Sequence, residues 1–197
     1  MQEIEINHRK NELRAQFKSL RKTLFNAEKA QRDKKIAQNL FSIIEFEAVQ
    51  GFLCYISKSD EIDTELIIES LLKSGKIVAA PKMRDSEGNM DFYIISSLDD
   101  TQKSAFGVRE PKAYSCKKLS DLSNSVCIIP ALAFDKKGYR LGYGKGCYDR
   151  FLKDFNGLKI GLCYQNCLVD SLPKGEFDIA ADVVVTENEI IYVKENG

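Results

Sequence analysis

VQGFLCYISKSDEIDTELIIESLLKSGKIVAAP, residues 49–81, decides the fold. VQGFLCYI is a short apolar run and reads as a buried strand, TELIIESLLKSG reads as a helix ended by Gly75, and KIVAAP as a second strand. Strand, helix and strand in so few residues form a βαβ unit. Continuous apolar runs, without polar alternation, are what strands show when a parallel sheet is covered on both faces. Upstream, Leu13, Phe17, Leu20 and Leu24 recur at helical spacing, predicting an amphipathic helix over about residues 7–24 whose other face is basic. Asn26 is placed to cap a second helix carrying Ala30, Ala37, Leu40, Phe41 and Ile44 on one stripe. Downstream, MDFYII, VCIIPALAF, LKIGLCY, DVVVT and EIIYV read as strands and GCYDRFLKDF as a helix. The expected architecture is a three-layer α/β/α fold with a mostly parallel, mixed sheet preceded by two helices. Residues 96–125 have no clear period and read as a surface excursion near the site. No repeat or linker interrupts the chain, so one domain over residues 1–197 is expected.

Composition narrows the function classes. Lys plus Arg and Asp plus Glu each total 29 of 197 residues, so no net field would hold nucleic acid or an anionic membrane. The first forty residues are nevertheless rich in cations, and that end can meet phosphate. No stretch approaches the roughly 18 apolar residues of a spanning helix, and MQEIEINHRK lacks the apolar core of a signal peptide, so a cytoplasmic protein is expected. The cysteines at 54, 116, 127, 147, 163 and 167 form no CxxC pair and are expected as reduced thiols. His8 is the only histidine. A His-rich zinc site or a Cys/His nucleophilic pair therefore lacks material, and chemistry falls to carboxylates, cations and backbone.

The run IIPALAFDKKGYRLGYGKGCYDRFL, residues 128–152, joins an apolar strand to a glycine-spaced loop and a predicted helix. Ligands of open α/β sheets bind beyond the carboxyl ends of the strands, where this loop would lie. Gly142, Gly144 and Gly146 let the backbone approach phosphate oxygens while Lys145 supplies a cation. The run is neither GxxxxGK[ST] nor GxGxxG, and spacing alone leaves a plain glycine-rich turn open. Arg140 and Asp149 flank the glycines as a magnesium–nucleotide site requires, or else form a surface ion pair.

This segment resembles the signature of the 5-formyltetrahydrofolate cyclo-ligase family. KNELR at 10–14, SDEIDT at 59–64, PKM at 81–83, MDFY at 90–93, GVREP at 107–111 and LPKGEFDIAADVVV at 172–185 extend the likeness, in order, over nearly the whole chain. The resemblance implies a ligase of one-carbon metabolism that uses ATP and Mg²⁺ to convert 5-formyltetrahydrofolate into 5,10-methenyltetrahydrofolate, releasing ADP and phosphate. It implies phosphorylation of the formyl oxygen followed by attack of N10. It places ATP contacts at Lys10, Asn11, Glu12, Leu13 and Arg14, and at Arg140, Leu141, Gly142, Tyr143, Gly144, Lys145, Gly146, Cys147 and Tyr148. Lys145 and Arg140 are the implied stabilisers of phosphoryl charge. Ile56, Glu61 and the loop from Tyr143 to Cys147 are implied for the folate, with Glu61 pairing to the aminopyrimidine edge of the pterin. Asp149 and Asp178 are implied for the metal. Read as bare residues, Lys10 and Arg14 share one helix face that solvent would also accept, Glu61 and Asp63 are both possible helix caps, and Asp182 competes with Asp178. The family usually has two tyrosines after the glycine loop, where this chain has Cys147 and Tyr148; Ala131 stands where glycine is common. Cys147 favours one alternative, a folate-binding module without turnover. A sugar-phosphate isomerase is another, which would explain the glycines and cations but not Glu61 or the paired carboxylates. Oligomeric state is not readable.

Overall fold

The computed structural model describes residues 2–23, 26–43, 48–104 and 107–193. Two helices come first, α1 (Gln2–Lys22) and α2 (Asn26–Ile43). The expected α1 positions begin later, at Asn7. The added residues carry Glu3 and Glu5, and the helix closes on Arg21 and Lys22, the polarity the helix dipole favours. Leu24 and Ile44, expected on the two apolar stripes, lie outside the described residues.

The βαβ unit follows as β1 (Gly51–Cys54), α3 (Glu65–Lys73) and β2 (Ile77–Met83), with β1 and β2 paired in parallel, Gly51 opposite Ile77. Gly75 adopts φ +72° and ends α3. Its N–H bonds Leu72 O at 3.0 Å and the N–H of Lys76 bonds Leu71 O at 3.1 Å, the two bonds of a Schellman ending. Next come β3 (Met90–Ile95), β4 (Thr101–Lys103), β5 (Arg109–Pro111), β6 (Ser125–Ile129), β7 (Ala133–Asp135), β8 (Arg140–Leu141), α4 (Cys147–Leu152), β9 (Leu158–Leu162), β10 (Leu168–Val169), β11 (Val183–Val185) and β12 (Ile190–Tyr192). Seven strands make the main sheet in the order β12-β11-β9-β6-β1-β2-β3. The five inner strands are parallel and the two edge strands antiparallel, giving the mixed sheet expected. Every residue of β1 and of β6 is buried, which explains their unbroken apolar runs.

Three expectations are corrected. VCIIPALAF is two strands: Pro130 has no N–H for a central ladder, so β6 stops at Ile129 and β7 enters a second sheet, β10-β7-β8. The helix expected to reach Phe155 ends at Leu152, and Phe155 turns into the core as its N–H bonds Leu152 O at 3.3 Å. Residues 96–125 hold a regular antiparallel hairpin, β4–β5, built on a capping box at Ser97 and Asp100. The hairpin docks on β2 through buried Glu110, which accepts the N–H of Met83 at 3.4 Å and lies 3.4 Å from Lys82 Nζ.

Candidate active site

A cavity of about 560 Å³ opens past the carboxyl ends of β1 and β6 and beside β2. Tyr55 and Ile56, following β1, and Pro130, following β6, form its floor, and the glycine loop between β8 and α4 forms one wall. The location is the crevice that a parallel sheet leaves at its strand ends. Gly144 and Gly146 take φ +102° and +63°, conformations a side chain disfavours, and this lets the loop bend tightly into α4.

Two ion pairs cross the cleft. Arg140 Nη2 lies 2.7 Å from Asp149 Oδ1, and its side chain is only 4% exposed, so the pair is no surface bridge. Arg140 Nη1 donates to Ile179 O at 2.9 Å, while Asp149 Oδ1 also accepts the N–H of Ile179 at 3.2 Å. Asp149 is thereby tied to the residue next to Asp178. Lys10 Nζ, from α1, lies 2.5 Å from Asp178 Oδ2, which also accepts the N–H of Gly175 at 2.7 Å. One turn along α1, Arg14 donates to Gly142 O at 2.9 Å and to Asn11 Oδ1 at 2.5 Å, so the helix face bearing Lys10 and Arg14 meets the glycine loop rather than solvent.

Glu61 lines the same cavity, buried in the loop between β1 and α3, with Oε2 accepting the N–H of Lys58 at 2.9 Å. Helix entry is served by Asp63, which accepts the N–H of Glu65 at 2.9 Å, leaving Glu61 to the cleft. Burial, then the charge of Glu61 and a hydrogen bond to it, hold the Tyr143 phenol well above its ordinary value. Lys58 and Lys18 stand 5.4 and 5.9 Å from the Tyr143 ring. The Tyr148 hydroxyl is buried without a hydrogen-bond partner among the described residues, and burial, followed by Cys127 and Glu61, raises its pKa.

The sequence profile of the 5-formyltetrahydrofolate cyclo-ligase family matches residues 6–187, from α1 through the turn after β11. The chain belongs to the 5-formyltetrahydrofolate cyclo-ligase family. It is 26% identical to the 5-formyltetrahydrofolate cyclo-ligase of Mus musculus, over 95% of this chain and 98% of that one. With the enzyme of the same name from Haemophilus influenzae it shares 29% identity over 87% of this chain and 94% of the relative. The solved structure of Aquifex aeolicus 5,10-methenyltetrahydrofolate synthetase superposes with a TM-score of 0.82 at 31% identity, covering 95% of this chain and 94% of that one.

In this cyclo-ligase family member, the expected site residues Lys10, Arg14, Ile56, Glu61, Arg140, Gly142 to Asp149 and Asp178 all line the one cavity. Four others do not. Leu13 and Leu141 pack in or against the core, Asn11 touches the site only through Arg14, and exposed Glu12 pairs with Arg9 at 2.8 Å. Asp182 is held by β9, accepting the N–H of Lys159 at 2.7 Å, and lies off the cleft. Sequence reasoning missed the wall formed by Met83, Met90, Val108 and Glu110. PKM, MDFY and GVREP were visible as family segments, but only the docking of β5 on β2 makes them one surface. Arg21 was also missed: buried, it donates to the carbonyls of Asp60 at 3.4 Å and of Ala131, pinning α1 to the loops after β1 and β6.

Among the described residues no group of three or more His, Cys, Asp or Glu side chains could hold a metal ion. The carboxylates of Asp149 and Asp178 nonetheless suit one kind of ion. Each takes its protein donors on one oxygen, leaving Asp149 Oδ2 and Asp178 Oδ1 without a hydrogen bond among the described residues. Two carboxylate oxygens completed by phosphate and water are a donor set for Mg²⁺. Among the described residues no helix is long and apolar enough to cross a membrane.

Proposed function

We propose that this chain converts 5-formyltetrahydrofolate into 5,10-methenyltetrahydrofolate at the expense of ATP, within one catalytic domain that draws its cleft from residues as distant as Asn7 and Asp178. The observation that carries this is the division of one cavity's lining between two chemistries: buried Glu61 with Tyr55 and Ile56, and Lys10, Arg14, Arg140 and Lys145 with two carboxylates. A family member with that division can bind a pterin and a polyphosphate side by side.

Glu61 accepts paired N–H groups of the aminopyrimidine, Tyr143 orients its carboxylate, and Ile56 supplies the apolar contact beneath the ring. Arg14, Lys145, Lys10 and the N–H groups of the glycine loop hold the phosphates. Mg²⁺, held by Asp149 and Asp178, supplies charge neutralisation across the phosphate oxygens when bound. The formyl oxygen attacks the γ-phosphorus as the bond to the ADP oxygen breaks. N10 adds to the activated formyl carbon and gives up its proton. The carbon–oxygen bond then breaks, phosphate leaves with the former formyl oxygen, and the methenyl bridge remains. The protein's share is to align two substrates and to face developing phosphoryl charge with preset cations, so no covalent enzyme intermediate is needed.

The test is the absorbance of the methenyl product formed by purified protein from 5-formyltetrahydrofolate, with ATP and Mg²⁺ omitted in turn. Product only when both are present is expected. Tight folate binding without product would make the chain a binding module, with Cys147 in the cleft as the first residue to revert to tyrosine.

A further inference from the structure

Both cleft carboxylates already hold cations, and the two cations are held differently. Arg140 is fastened on each side of its guanidinium, to Asp149 at 2.7 Å and to Ile179 O at 2.9 Å, and lies 6.0 Å from the Tyr148 ring. Leaving Asp149 would also disturb its bond to the Ile179 carbonyl. Lys10 reaches Asp178 on a flexible stem, and Asp178 is its only hydrogen-bond partner among the described residues. The ammonium is a rotatable point charge that bonds a phosphate oxygen as readily as a carboxylate.

We infer that Lys10 is an exchangeable counter-ion for Asp178, which makes binding of the divalent cation conditional on binding of the nucleotide. This coupling rests on the assignment of the cleft to a magnesium–nucleotide. With Lys10 at 2.5 Å, Asp178 offers an incoming divalent ion little net charge. Displacing the ammonium alone would strand a cation in a side chain that is only 10% exposed. A triphosphate removes that penalty: Lys10 turns to a phosphate oxygen, Asp178 is released to the metal, and every charge keeps a partner. Arg140 stays on Asp149 and keeps that carboxylate oriented. Metal and nucleotide therefore bind synergistically, and loss of the lysine charge has opposite effects on the two ligands.

Mn²⁺ binding to the full chain, followed by the paramagnetic resonance of free Mn²⁺ with and without a non-hydrolysable ATP analogue, tests the exchange. After subtraction of the Mn²⁺ that the analogue holds in protein-free solution, wild-type protein should bind Mn²⁺ weakly alone and about tenfold tighter or more with the analogue, and Mn²⁺ should tighten the analogue by the same factor. Lys10→Met should tighten Mn²⁺ about tenfold in the absence of nucleotide while weakening the analogue. Lys10→Arg should keep the wild-type pattern. A folded Lys10→Met protein that binds Mn²⁺ alone no better than wild type overturns the exchange. Absence of synergy in the wild type overturns it too, whether or not the variant folds. Wild-type protein that binds no nucleotide overturns the assignment of the cleft and the exchange with it.

Discussion

Gly144 holds φ +102° with the Arg14 guanidinium carbon 3.4 Å from where a Cβ would stand. Gly144→Ala must therefore strain the backbone by about 1–2 kcal/mol or push Arg14 off the loop. We expect the KM for ATP to rise about tenfold while the thermal midpoint falls by only about 2–8 °C, with the protein still folded at the assay temperature. Steady-state kinetics beside a melting curve separate this from unfolding. Tyr143, on the same loop, gives a complementary prediction. Its phenol stands close enough to Glu61 for that charge to hold it protonated, so Tyr143→Phe should raise the KM for the folate several-fold while that for ATP stays within about twofold. A rise confined to the KM for ATP would place Tyr143 with the phosphates instead. The glycines were readable from sequence because backbone freedom belongs to the residue itself. The pairing of Tyr143 with Glu61 was not, since nothing in the spacing of either residue points to the other.

The turn between β7 and β8 shows how an element can serve a site it does not touch. Buried Asp135 accepts the N–H groups of Lys137 at 2.9 Å and Tyr139 at 3.0 Å through one oxygen and of Leu172 at 2.9 Å through the other. The first two shape the turn, and the third tethers the segment that leads to Asp178. Gly138, at φ +80°, lies where a Cβ would overlap the carbonyl of Ala181, and its own carbonyl accepts the Ala181 N–H at 2.9 Å. Asp135→Ala leaves these donors unpaired and should cost about 3 kcal/mol in urea unfolding. Because the tether also sets Asp178, the variant that remains folded should lose Mn²⁺ affinity in the presence of nucleotide. An Asp135→Ala protein of wild-type stability would mean that water replaces the carboxylate. In β9, Gly161 has Phe134 where its Cβ would be, so Gly161→Ala should destabilise by about 1–3 kcal/mol, read from the same titration.

For the molecule as a whole, buried thiols give stability a pH limit. Burial raises the Cys54 thiol far above its ordinary 9.0 and pushes Cys127 up to about 12. The folded state thus keeps protons that the unfolded chain releases above pH 9.0, so this contribution is intact below that pH and falls as pH rises from 9.0 toward 12. Unfolding free energies measured between pH 8 and 11 should decline along this limb, and Cys127→Ala should make it shallower by that thiol's share. A parallel decline in the alanine variant would assign the limb to other groups.

Features that depend on local period and backbone freedom could be read along the chain. The unbroken apolar runs of β1, β2 and β6 require a sheet covered on both faces, Gly75 stops α3, and the alternating glycines after β8 permit a tight loop. What only the tertiary structure decided was which distant side chains meet. Lys10 and Asp178 stand 168 positions apart and share one hydrogen bond. Asp178 and Asp182 occupy one short acidic stretch, yet the first lines the cleft and the second caps the start of β9. Pro130 could be seen in the sequence, but the second sheet it opens could not. A hairpin with no apolar period became a cleft wall because Glu110 found the edge of β2. These contacts depend on packing between elements, which a pattern along one chain does not encode, because each side chain's partner is chosen by the arrangement of all the others.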